Sequence, residues 1–169
     1  MFACVDVGYD FMTARAACVT FERWKDACAS AEYVFATGDV RPYVSGEFYK
    51  RELPCVLAVL ERLPTQPDLV VVDGYVWLDD RDRMGLGGHL LESLGETIPV
   101  IGVAKTRFAT ATSAIEVFRG SSRRPLLITA VGIDQDEAAD CISRMHGENR
   151  IPTLLKRADQ LSRQQPDCE

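Results

Sequence analysis

The stretch PDLVVVDG, residues 67–74, constrains this chain more than any other. Leu69 to Val72 form an apolar run without alternation, which marks a strand covered on both faces of a sheet. The run ends in Asp73, and an ionised carboxylate taken out of water costs several kcal/mol unless something compensates it. The opening of the chain repeats the pattern, because FACVDVGY reads as a buried strand interrupted by Asp6. If the two strands are neighbours, their carboxylates emerge side by side.

The spacing of the other segments fills in a sheet. TARAACVTFE and AEYVFATG follow the first strand as β-rich segments separated by short turns, a three-strand meander. In LPCVLAVLERL, residues 53–63, the apolar positions recur at helical spacing, with Pro54 tolerable only in a first turn. Beyond Asp73 come a helix over about Met84 to Leu94, a strand in IPVIGVA and two strand candidates in SAIEVFRG and RPLLITAV. DEAADCISRMHG and PTLLKRADQLSR read as helices. The expected class is therefore α/β: a mixed sheet, an antiparallel three-strand meander followed by parallel βα units, with helices on both faces. One domain over residues 1–164 accounts for all of it, with 165–169 as a frayed tail.

Composition excludes several functions. No apolar run reaches the roughly 18 residues of a membrane span, and the first residues lack the basic stretch of a secretory signal, so a cytoplasmic protein is expected. Six cysteines stand without a C-x-x-C pair, which gives a zinc site no support and suggests reduced, packed thiols. A net charge of −6 argues against a wide basic face for duplex binding, yet an active site made of carboxylates lowers net charge by itself. Neither a Walker loop nor G-x-G-x-x-G is present, and a sugar-kinase-like ATPase would need a second domain.

Glu52 joins Asp6 and Asp73 as an acid out of place, since it falls on the Phe48, Val56, Val59 side of its helix. A helix cap or a salt bridge would account for any one of these acids alone. Two hard oxygen ligands at neighbouring strand ends, with a third from a helix, make instead a Mg²⁺ or Mn²⁺ site. Asp159 borders the stripe Leu154, Leu155, Ala158, Leu161, and Lys105 lies just past a buried strand, where a lysine can hold a phosphate. Arg119, Arg123 and Arg124 in RGSSRR could line a strand path, but a loop of this kind is more often exposed and solvated.

Taken in order, these pieces resemble the endonuclease V family. VDVGY is similar to its first acidic strand, PYVSGEFYKRELP to its wedge motif and acidic helix, and PDLVVVDG to its second acidic strand. IPVIGVAKTRF resembles its lysine segment and RIPTLLKRADQLSR its C-terminal helix. The resemblance implies an RNase H-like fold and a DNA-repair hydrolase that cleaves a phosphodiester 3′ of deoxyinosine or inosine in DNA or RNA. It implies metal ligation by Asp6, Asp73 and Glu52, catalytic roles for these with Lys105 and Asp159, and Mg²⁺ as cofactor, with Mn²⁺ able to substitute. Tyr43 would be the wedge inserted at the lesion, with Gly46, Arg51 and Lys105 also contacting nucleic acid. The expected partner is inosine-containing nucleic acid, met by a monomer.

The chain departs from the family pattern in places. Ser45 stands where proline is usual, and DGYVWLDD replaces a Gly-His-Gly segment, with Tyr75 in place of a histidine and a bulky Val76 in place of a glycine. These changes bear on which base is accepted, and they keep a second reading open: a protein that binds nucleic acid or a partner after losing efficient hydrolysis.

Overall fold

The computed structural model describes residues 1–10, 13–38, 47–79 and 83–164. Strands β1 (Phe2–Tyr9), β2 (Ala14–Phe21) and β3 (Ala31–Thr37) form the antiparallel meander. There follow α1 (Tyr49–Leu60), β4 (Leu69–Asp73), α2 (Leu86–Ser93) and β5 (Val100–Ala104). Then come β6 (Ile115–Val117), β7 (Leu126–Val131), α3 (Gln135–Arg144) and α4 (Thr153–Arg163). Among the described residues the sheet runs β3-β2-β1-β4-β5-β7-β6, with β1, β4 and β5 parallel and β7 and β6 antiparallel to their neighbours.

The pairing of β1 with β4 decides where the acids go. Val5 lies opposite Val72, so Asp6, in the middle of β1, and Asp73, the last residue of β4, sit side by side at the carboxyl end of the β1–β4 ladder. Alternation then assigns faces. Ala3, Val5 and Val7 of β1 and Val70 and Val72 of β4 pack with α1 and α2, whereas Cys4 and Val71 pack with α3 and α4. Asp6 follows Cys4, and Asp73 follows Val71, onto the α4 face. Both strands are buried on both sides, as the unalternating PDLVVVDG run requires.

Two details differ from the sequence reading. Helix α1 begins at Tyr49, so Pro54 stands inside it and not in its first turn. The helix tolerates this because Pro54 removes one amide, the one that would bond to Lys50, near an end whose first bonds already run from Lys50 to Glu47 and from Arg51 to Phe48. Arg119 is buried at 6% exposure, not solvated. Its guanidinium donates to the carbonyls of Ile142, Ser143, Met145 and Gly147, satisfying the C-terminal end of α3 and the turn after it. Of the described cysteines, Cys4, Cys18, Cys55 and Cys141 are buried thiols, as expected, and Cys28 is exposed. No described helix is long and apolar enough to cross a membrane.

Replacing Arg119 leaves four carbonyls without their donor, so Arg119→Met should lower stability by about 3 kcal/mol or more in urea denaturation. Arg123→Met, on the same loop, should change it by less than about 0.5 kcal/mol. Equal small effects would refute the capping role.

Candidate metal centre

The centre is assembled from four elements that meet where the β1–β4 ladder ends. β1 and β4 deliver Asp6 and Asp73. α4 lies across their face and brings Asp159, and one carboxylate oxygen from each of the three lies within 4.8 Å of the others. Lys105, the residue after β5, completes the centre: its Nζ is 2.5 Å from Asp73 Oδ2 and 3.9 Å from Asp159 Oδ1. Asp159 Oδ1 also accepts from the Arg163 guanidinium at 2.8 Å. Val5, Val103, Ile151 and Leu155 wall a small recess around Asp6, Asp73 and Lys105.

Close approach of α4 depends on one residue. A Cβ on Gly8 would stand 2.4 Å from the Ser162 carbonyl oxygen, so only glycine lets β1 and α4 touch there. Gly8 is two residues beyond Asp6 and faces the same way. The contact brings Ser162, itself 3% exposed, to donate its hydroxyl to Asp6 Oδ2 at 3.0 Å. Sequence reasoning missed Gly8 and Ser162, because neither interrupts a periodicity. The only trace is a glycine inside an apolar strand, the usual mark of close backbone approach.

Electrostatics follow from the crowding. Burial, and then the neighbouring charge of Asp73, raise the Asp6 carboxyl pKa above its ordinary value, against the Ser162 hydrogen bond and Lys105. Burial opposes charge on Lys105, but contact with Asp73, helped by Asp6 and Asp159, outweighs it and holds the ammonium protonated beyond its usual range. Glu52, in the first turn of α1 and 7% exposed, is pushed up to about 8 by burial and by the charges of Asp6 and Asp73, with Arg51 opposing. Glu52 is thus an electrostatic neighbour of the cluster and is not one of the three acids within 4.8 Å.

Arg51 stacks over the Tyr9 ring at 4.3 Å from its centroid, and neither its Nε nor the Tyr9 hydroxyl has a hydrogen-bond partner among the described residues. Tyr43 and Gly46 lie outside the described residues. The DGYVWLDD segment turns away at Gly74, whose φ of 143° favours glycine. Tyr75 is buried, its hydroxyl donating to the Thr106 carbonyl at 2.8 Å and accepting from the Phe108 amide at 3.0 Å. Val76 points into the α2 layer, where its Cγ2 would be 2.7 Å from a Cβ on Gly87, and so it does not fill the recess at the acids. His89 stacks on Tyr49, and His146 bonds Thr153, so neither histidine belongs to the centre.

Three oxygen donors of this kind could hold a cation. Ligand oxygens around one octahedral ion are roughly 3–4 Å apart, so small rotations of the three carboxylates would suffice. The Lys105 ammonium meanwhile supplies positive charge at the same place.

A model of the family described as Endonuclease V matches residues 1–133. The chain belongs to the endonuclease V family. Endonuclease V of Streptomyces avermitilis is 36% identical over 94% of this chain and 77% of that protein. The Streptomyces coelicolor relative is 43% identical over 75% of this chain, which spans only 53% of it. The crystal structure of the Streptomyces avermitilis endonuclease V superposes with a TM-score of 0.76 at 30% identity, covering 96% of this chain and 79% of that one. Ciona intestinalis endonuclease V, solved in complex with a 24mer DNA containing an inosine followed by a ribo-adenosine, gives a TM-score of 0.79 at 18% identity. That comparison covers 96% of this chain and 84% of the other, and it speaks to the fold, an RNase H-like α/β arrangement.

In EDTA, Glu52 makes stability depend on pH. Its folded pKa lies above the 4.5 of an ordinary glutamate, so the folded state holds a proton that the unfolded chain gives up between about pH 4.5 and 8. Stability should therefore fall across that window as pH rises, by about 4–5 kcal/mol at most from this group, with Asp6 adding in the same direction. Glu52→Gln should flatten the decline in urea denaturation at pH 5 and pH 8. An unchanged slope in the variant would refute the burial of this acid among the others.

Proposed function

We propose that this chain is a metal-dependent endonuclease that hydrolyses a phosphodiester 3′ of inosine or deoxyinosine in nucleic acid. The observation that carries the reading is the meeting of Asp6, Asp73 and Asp159 within 4.8 Å beside Lys105, in a chain of this family. Residues 1–164 would act as one catalytic domain.

Asp6 and Asp73, with Asp159 or Glu52, would hold a divalent ion such as Mg²⁺ or Mn²⁺, which would supply Lewis-acid stabilisation and activate a water. The residues do the rest. Ser162 fixes the orientation of Asp6 by occupying Oδ2, which leaves Oδ1 for ligation. Lys105, released from Asp73, neutralises negative charge developing on the phosphoryl oxygens. Glu52 orients the attacking water from the α1 side, and its proton is released as positive charge gathers at the cluster. Tyr43 would wedge the strand at the altered base, with Gly46 permitting close approach and Arg51 holding a phosphate.

Incubation with labelled oligonucleotides, single- and double-stranded, DNA and RNA, with and without one inosine, tests the reading. Cutting 3′ of inosine in Mg²⁺ and none in EDTA is expected. Asp73→Asn should lower the rate by at least about 100-fold while the far-ultraviolet circular dichroism is unchanged. A variant that cuts at the wild-type rate, or cutting that persists in EDTA, would contradict it.

A further inference from the structure

Beside the acids runs an open groove that the hydrolytic roles do not use. Its lining shares Lys105 and Asp159 with the centre and continues to Ser122, Arg150, Lys156 and Arg163. Along α4, Lys156, Asp159 and Arg163 are spaced i, i+3 and i+7, which sets them on one face. Asp159 is in the middle, so a cation flanks the acid cluster on either side, and the two are about 10 Å apart along the helix axis.

Charge in this groove runs against the rest of the molecule. The chain carries a net charge of −6, yet the groove gathers Lys105, Arg150, Lys156 and Arg163, of which Lys105 and Arg163 are paired with Asp73 and Asp159 and the other two with no acid among the described residues. Lys156 is exposed and makes no ion pair among the described residues. Arg150 gives hydrogen bonds to the carbonyls of Lys105 and Pro125 and to no acid, so its charge is held in place without being neutralised. Arg157, the next residue on α4, faces elsewhere and is neutralised by Glu32 at 2.6 and 2.8 Å. On α4 the cation without an acid partner among the described residues, Lys156, thus lies on the groove side, whereas Arg163 is paired with Asp159. A local positive channel in an acidic protein attracts an extended polyanion and holds it in register.

We infer that this groove, between α4 and the Ser122 and Arg150 segments, is the path of a single nucleic-acid strand leading to or from the acid cluster. The inference rests on the hydrolytic reading of that cluster and adds the side on which the strand lies. The 10 Å between Lys156 and Arg163 corresponds to about three nucleotides at 3.4 Å per step along one strand. Lys156, and Arg163 once released from Asp159, then hold phosphates that bracket those passing the acids. Asn149 offers a neutral amide donor to the backbone. Such contacts position the strand without reading its sequence.

Fluorescence anisotropy with inosine-containing single strands, in EDTA and across a series of salt concentrations, tests it on the full chain. Lys156→Glu should weaken binding about tenfold or more, and Lys156→Gln should reduce the slope of log affinity against log salt by about 0.7, the single-strand value for one lost phosphate contact. Lys25→Glu, the same charge change on an exposed residue of the β2–β3 connection, should leave the slope at its wild-type value. If wild type binds and both Lys156 variants bind identically with the same slope, the strand path is overturned. If a polyglutamate peptide binds as tightly and with the same Lys156 dependence, the assignment to a nucleic-acid strand is overturned. Failure of the wild type to cut any inosine substrate, with the Lys156-dependent slope intact, would instead overturn the hydrolytic reading and leave the groove a strand-binding surface.

Discussion

Like charges held together against their repulsion are the constraint on which the structure depends. Asp6, Asp73 and Asp159 lie within 4.8 Å, with Glu52 close enough for the first two to raise its pKa. In water such groups would separate. Here they cannot, because each is fixed by an element that is buried for independent reasons: β1 and β4 by two apolar faces, α4 by Leu154, Ala158 and Leu161, and α1 by Val56 and Val59. Hydrophobic burial, about 25 cal/mol per Å² of apolar area, provides the free energy that offsets the repulsion. What remains uncompensated is a demand for positive charge. Lys105 meets part of it with one contact at 2.5 Å, and a bound cation would meet more.

The fold answers that demand with geometry. Parallel pairing of β1 with β4 sets Asp6 beside Asp73 where their ladder ends, alternation turns both aspartates toward α4, and the glycine at position 8 removes the side chain that would hold α4 away. Carboxyl ends of parallel strands are where ligands bind in α/β sheets generally, and the acid cluster sits there. The same helix that supplies Asp159 also carries Lys156 and Arg163, so attraction for a polyanion and the cluster that would act on it are built on one rigid element.

Much of this could be read from the sequence, and the reason is physical. Asp6 and Asp73 each break an apolar run, so each announces itself against a uniform background, and Glu52 does so against a helical stripe. Lys105 is marked by the strand it follows. Asp159 was ambiguous, since an acid at the border of an amphipathic helix is ordinary; its place came from family resemblance. Ser162 and Gly8 were invisible because close contact between a strand and a helix leaves no periodic signal. Arg119 was misread for the opposite reason: RGSSRR has the composition of a solvated loop, and only tertiary packing reveals that its first arginine is turned inward to the end of α3. The start of α1 was set too late because Pro54 suggested a first turn. Tyr43 and Gly46 lie outside the described residues, so the wedge reading rests on resemblance alone.

The most direct test of the account is the stability of the wild-type protein in urea at pH 8 as Mg²⁺ is titrated in. If the acids form a cation site, the unfolding midpoint should rise with the logarithm of ion concentration, following RT ln(1 + [Mg²⁺]/Kd), and Asp6→Asn should abolish the dependence. A wild-type midpoint that is indifferent to Mg²⁺ and Mn²⁺, with Lys105 and Arg163 neutralising the cluster, would contradict it.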